Sequence, residues 1–167
     1  MRKETPMENN NQTNTANLES SPMPMKWHKF LIYCGLWLGG VGNALTGLGL
    51  VTGSAYTSAG VTAEQVYSVF PTLKPVDVIL GLVSIAIGVM LIVVRFDLAR
   101  FKRNGPKKLL ILYGVSAVFT LVYPLLASAM TGMSFTDLWD PATIVGSILG
   151  VVINKIYYDK RGQLFIN

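Results

Sequence analysis

Long apolar runs alternate along this chain with short clusters of Lys and Arg, and that alternation leaves few folds open. Phe30 to Val51 reads FLIYCGLWLGGVGNALTGLGLV, Pro75 to Val94 reads PVDVILGLVSIAIGVMLIVV, and Leu109 to Met130 reads LLILYGVSAVFTLVYPLLASAM. Each run is about 20 residues, enough to cross a hydrocarbon core of ~30 Å at 1.5 Å per residue. Only 14% of the residues are charged against 51% hydrophobic, so lipid is the expected solvent for these stretches. Pro124 falls in the last third of the third run and removes a backbone donor, which predicts a bend there.

A fourth run, ATIVGSILGVVI at 142–153, is too short to span by itself. Its flanks extend it. Trp139 and the pair Tyr157 and Tyr158 are separated by ~18 residues, or about 27 Å of helix, the spacing of two interfacial aromatic belts. Asp140 is placed as an N-cap and Pro141 as the first helical residue. A spanning helix over 139–158 is the expectation, and an interfacial or re-entrant segment is the alternative.

The cations set the orientation. Arg2, Lys3, Lys26 and Lys29 precede the first run; Arg95, Arg100, Lys102, Arg103, Lys107 and Lys108 lie between the second and third; Lys155, Lys160 and Arg161 close the fourth. Only Lys74 falls on the other connections, so thirteen of fourteen basic residues alternate in step with the crossings. The positive-inside bias then puts both termini and the middle loop in the cytoplasm. The central cluster also has a lipid-facing reading, as a patch for anionic headgroups at ~1 kcal/mol per charge. The net charge of +5 does not point to nucleic acid, because the basic residues flank apolar runs and form no face of their own.

The expected fold is therefore an all-α, polytopic membrane protein. A polar tail over 1–25, rich in Asn, Thr, Ser and Pro, is expected to be disordered. A four-helix domain follows over 26–158, with spans at about 30–51, 75–94, 109–130 and 139–158, and a C-terminal anchor over 159–167. A signal peptide cleaved near TSAG at 57–60 is the competing reading of the first run, disfavoured by the run's length and the long tail before it. Between the first two spans, Thr62 and Gln65 have capping-box spacing, Val61 and Val66 have staple spacing, and Pro71 ends the pattern. This predicts a short helix on the outer membrane surface, as a cover or as a lid or docking surface.

Residues able to carry chemistry are few, which argues against an enzyme. His28 is the one histidine and reads as an interfacial residue among lysines; Cys34 is the one cysteine, so neither an internal disulfide nor a Cys-based zinc site can form. No metal or cofactor is expected. Glu64, Asp77, Asp137 and Asp140 fall in or near the outer connections. Asp77, soon after Pro75, is explained by the helix dipole if it lies in the first turn, and otherwise marks a polar path with Asn43 and Thr46.

What the spans do contain is rows of small residues. Gly35, Gly39, Asn43 and Gly47 recur at intervals of four on the first helix; Ala142, Gly146 and Gly150 do so on the fourth, with Asn154 continuing the line. Ser84 and Gly88 give a shorter row on the second. Such rows let backbones approach closely, within one bundle or against a homo-oligomeric or other membrane partner.

The C-terminal stretch NKIYYDKRGQLF, 154–165, together with the four-span layout, resembles the ending of small uncharacterised four-helix bacterial inner-membrane proteins. The resemblance implies a prokaryotic plasma membrane and carries no activity. From their residue types alone, Tyr157, Tyr158, Lys160 and Arg161 are expected to form an interfacial anchor, with Leu164, Phe165 and Ile166 folded back onto the lipid surface. The expected function is an accessory or assembly subunit acting through helix association; the alternatives are a small-solute or lipid transporter working as an oligomer, and a sensor using the outer loop 52–74 as its ligand surface.

Overall fold

The computed structural model describes residues 25–138 and 141–166. The expected disordered tail, apart from Met25, and the belt and cap residues Trp139 and Asp140 lie outside the described residues. In chain order the helices are α1 (Lys26–Thr52), α2 (Ala63–Val69), α3 (Leu73–Ala99), α4 (Gly105–Thr131), α5 (Phe135–Leu138) and α6 (Pro141–Asp159). Short 3₁₀ segments lie at Ser54–Ala59 and Gly162–Leu164, and no strand occurs among the described residues. The helices α1, α3, α4 and α6 are long and apolar enough to cross a membrane. Leu38, Leu45, Ile79, Leu82, Ile111, Val118, Ile148 and Ile153 point outward and exposed, one or more pairs from each of these helices. That surface suits a multi-pass membrane protein, because lipid tails, unlike water, do not penalise it.

Helix ends differ from the sequence-based expectation in ways that matter. The third helix starts at Leu73, two residues before Pro75, and no acid lies in its first turn; Asp77 belongs to the helix body. It runs on past Val94 to Ala99, and α4 begins at Gly105, so Arg95, Lys107 and Lys108 are helical residues. The basic connection shrinks to a tight turn. There Lys102 N–H donates to the Asp97 carbonyl at 3.0 Å, and Phe101 takes a left-handed φ of 50°. Helix α4 continues through Pro124, which is buried. The short helix α2 forms as expected: Gln65 N–H donates to Thr62 Oγ1 at 3.3 Å and Thr62 N–H to Gln65 Oε1 at 2.9 Å.

The most extensive interface joins α1 to α3, and glycine makes it. A methyl built on Gly47 would stand 2.4 Å from the Gly81 carbonyl oxygen, and one on Gly88 would stand 2.5 Å from the Gly40 carbonyl oxygen. Between these two contacts Ser84 Oγ donates to the Asn43 carbonyl at 2.9 Å. The seam thus runs through Gly40 and Gly47 on α1 and through Gly81, Ser84 and Gly88 on α3. It takes Asn43 and Gly47 from the expected row but Gly40 in place of Gly35 and Gly39, and helix geometry explains why. A step of four residues drifts by about 40° around a helix of 3.6 residues per turn, so a long row of fours winds away from a neighbour. A step of seven drifts by only ~20° and stays on one left-handed seam.

Helix α6 packs chiefly on α4, and α4 packs on α3, so the four long helices form two hairpins joined along α3 and α4. Helix α1 meets α6 at the end where the basic residues gather. There Trp27 Nε1 donates to Asn154 Oδ1 at 3.1 Å and His28 N–H donates to the Tyr157 hydroxyl at 3.2 Å. Within α1, Leu31–Gly35 is π-helical, and the Ile32 carbonyl there accepts from Arg95 Nε at 2.7 Å. A π turn displaces the i→i+4 ladder, which suits a carbonyl recruited by a side chain from the next helix.

Candidate functional site

Away from the basic end, three elements converge on Asp77. Gly53 ends α1 in a left-handed turn with φ of 76°, and a Cβ there would stand 2.4 Å from the Ala63 Cβ, so only glycine fits. That turn starts the 3₁₀ segment carrying Tyr56 and lets α2, carrying Tyr67, pack back over the bundle. Both phenols donate to Asp77 Oδ2, Tyr56 at 2.5 Å and Tyr67 at 3.0 Å, with their rings edge to face at 5.7 Å. From α4, the Tyr123 side chain interacts with both Asp77 and Tyr56.

Asp77 is fully buried, and its Oδ1 has no hydrogen-bond partner. No ion pair to it occurs among the described residues. The one basic residue between Lys29 and Arg95, Lys74, is exposed. Burial, and then the hydrogen bond to Asp77, pushes the Tyr67 hydroxyl up to about 12. The same causes, in the same order, raise Tyr56 well above the ordinary phenol range. Both phenols are therefore held as neutral donors. A helix dipole does not account for an acid buried under three tyrosines beyond the first turn.

The two hairpins do not close on each other along their whole length. Two cavities, of about 540 and 430 Å³, share Gly39, Asn43, Ser116, Thr143 and Ser147, so they form one cleft between α1, α4 and α6. One end is walled by Leu50, Tyr123 and Leu138, and the other by Trp27, Tyr113 and Asn154. Of the expected polar path, Asn43 and Thr46 line this cleft. Asp77 lies behind its wall, connected to it through Tyr123. Gly35, Gly39, Gly146 and Gly150 border the cleft, and a Cβ on Gly146 or Gly150 would meet nothing within 4 Å. Ala142 is exposed, whereas Gly47 sits in the α1–α3 seam.

The basic cluster divides by role. Arg95 is half-buried, held on Ile32 and stacked 5.0 Å from the centroids of both Trp37 and Phe96. Lys102 and Lys108 clamp Asp97 at 2.7 and 2.6 Å. Arg100, Arg103 and Lys107 remain exposed. Asp97 is the residue that sequence reasoning missed here; an acid at the end of a span, followed at short range by two lysines, was the available signal.

Beside this turn lies an aromatic cage. His28 is 2% exposed, its Nδ1 stands 3.0 Å from the Tyr158 hydroxyl, and its Nε2 has no hydrogen-bond partner. Phe101, Tyr158 and Phe165 surround the ring at centroid distances of 5.1, 5.9 and 5.6 Å. His28 is thus a core residue and not an interfacial one. Phe165 turns inward to cover it instead of resting on the membrane surface, while Ile166 stays exposed.

Among the described residues no group of three or more His, Cys, Asp or Glu side chains is placed to hold a metal ion. Comparison of the chain with family models, curated proteins and solved structures gave no match.

Proposed function

We propose that the protein is a carrier of small solutes or lipids, with the cleft between its two hairpins as the binding site. The observation that carries this reading is the parting of the hairpins around polar residues, Asn43, Thr46, Ser116, Thr120 and Ser147, midway along helices long enough to span a membrane. Polar side chains at that depth are costly in lipid unless they pack against one another or face a ligand or water. The positive-inside bias puts the His28 end in the cytoplasm and the Asp77 end outside, and the C-terminal resemblance suggests a bacterial inner membrane.

The test is thiol accessibility in membranes, on a Cys34→Ala background. Thr46→Cys and Ser116→Cys should react with a small water-soluble thiosulfonate at least ten times faster than Ile111→Cys, which faces outward. Equal, slow rates at all three positions would contradict the carrier reading.

A second reading, an assembly subunit working as an oligomer or with a membrane partner, is favoured by one feature. The outer face of α6, with Val145, Ile148, Leu149, Val152 and Ile153 exposed, is uncovered. Asn43→Ala and Asp77→Asn separate the two: loss of solute flux with intact complexes favours the carrier, and loss of a co-purifying partner favours assembly.

A further inference from the structure

We infer that the solute is a protonated primary amine with an apolar body, its ammonium drawn toward Asp77 and its hydrocarbon lying along the cleft; this rests on the carrier reading. The first observation is a buried acid with no basic partner. Asp77 is completely buried, no basic side chain lines either cavity, and Oδ1 is left without a partner while Tyr56 and Tyr67 crowd Oδ2. Burial penalises an ionised carboxyl, and a cation brought beside it would offset that cost through a weakly screened interaction.

The second observation is independent of Asp77 and concerns the cleft wall. The hydroxyls of Ser84, Ser116, Thr120 and Ser147 each donate their single proton to a main-chain carbonyl, at 2.8 to 2.9 Å in their shortest contacts. Their remaining capacity toward the cleft is lone pairs only. Those four residues therefore offer acceptors and no donors. A ligand facing those four hydroxyls brings N–H donors of its own, and among small solutes an ammonium brings three. Leu50, Phe119, Pro124, Leu138 and Ile144 add apolar wall that suits a hydrocarbon body, beside the further polar side chains Asn43, Thr46 and Thr143.

Tyr123 connects the two regions. It lines the cleft and interacts with Asp77, so an ammonium seated beside it is one side chain away from the buried acid.

The experiment is equilibrium dialysis of the full-length chain in a neutral detergent near pH 7, against a protein-free detergent blank. The probes are hexylamine, hexan-1-ol and hexyltrimethylammonium, which share a chain and differ in charge and N–H donors. Hexylamine, protonated at this pH, should be retained at least ten-fold more tightly than the alcohol and several-fold more tightly than the trimethyl cation. Asp77→Asn should bring it down to the level of the alcohol. Equal retention of amine and alcohol by the natural chain, retention of neither, or amine retention unchanged in Asp77→Asn would overturn the assignment. The comparison of probes on the natural chain holds even if the variant does not fold. Accessibility of Thr46→Cys and Ser116→Cys stands apart from these results, so the amine can fail while the carrier reading survives.

Discussion

Gly47 and Gly81 touch backbone to backbone: a methyl on Gly47 would lie 2.4 Å from the Gly81 carbonyl oxygen, and one on Gly81 would lie 2.7 Å from the Gly47 carbonyl oxygen. Neither backbone atom can swing aside as a side chain can. Gly47→Ala should therefore destabilise the protein by about 1–3 kcal/mol, the usual range for overpacking. Gly146→Ala, where nothing lies within 4 Å, should cost nothing. Unfolding in mixed micelles, followed by circular dichroism, compares the two; equal behaviour would remove the α1–α3 seam as the main packing contact.

The phenol cluster predicts a stability loss at alkaline pH. The Tyr67 hydroxyl is pushed from 10.0 up to about 12 by burial and by its bond to Asp77, so folding favours the neutral form. A group raised in the folded state gives its full stabilisation below the unfolded value and loses it as pH rises through the folded one. Stability should fall between about pH 10 and 12, and Tyr67→Phe should blunt that fall. Tyrosinate absorbance and unfolding midpoints across this range check both parts.

At the opposite end, Phe165 closes the cage around His28. Acylation of the His28 imidazole should be slow in the natural chain, where the residue is 2% exposed, and should quicken several-fold in Phe165→Ala. Absorbance of the acylated imidazole reports the rate, with His28→Gln as the blank. An unchanged rate would mean that the C-terminal segment does not seal the cage.

Asp97 ties the turn between α3 and α4 through Lys102 and Lys108, both about half exposed. Exposed pairs add little each, but these two share one buried carboxylate and close a short loop. Asp97→Asn should speed tryptic cleavage within Arg100–Lys108 with little change in the global unfolding midpoint. Cleavage at the natural rate would show that the backbone turn alone holds this connection.

Much of the architecture was legible because lipid imposes simple rules. Runs of about 20 apolar residues gave the long helices, and Thr62 with Gln65 gave α2 down to its capping residues. Rows of small residues were legible as rows, but their partners were not. Choosing Gly40 over Gly39 for the seam needs the crossing geometry, which a single helix does not contain. The Asp77 cluster was harder still. Tyr56 and Tyr67 are distant from Tyr123 in sequence, and only the turn at Gly53 and the packing of α2 bring them to one carboxylate. His28 was misread because adjacent lysines suggested an interface, while the rings that bury it come from the α3–α4 turn and the chain's far end.

Side-specific labelling of single cysteines in intact cells tests the four-span arrangement most directly, on the Cys34→Ala background with a membrane-impermeant maleimide. Glu64→Cys should label from outside, whereas Lys102→Cys and Gln163→Cys should label only after permeabilisation. Labelling of Glu64→Cys and Lys102→Cys from the same side would contradict a membrane crossing by α3, and with it the placement of the cleft within the bilayer.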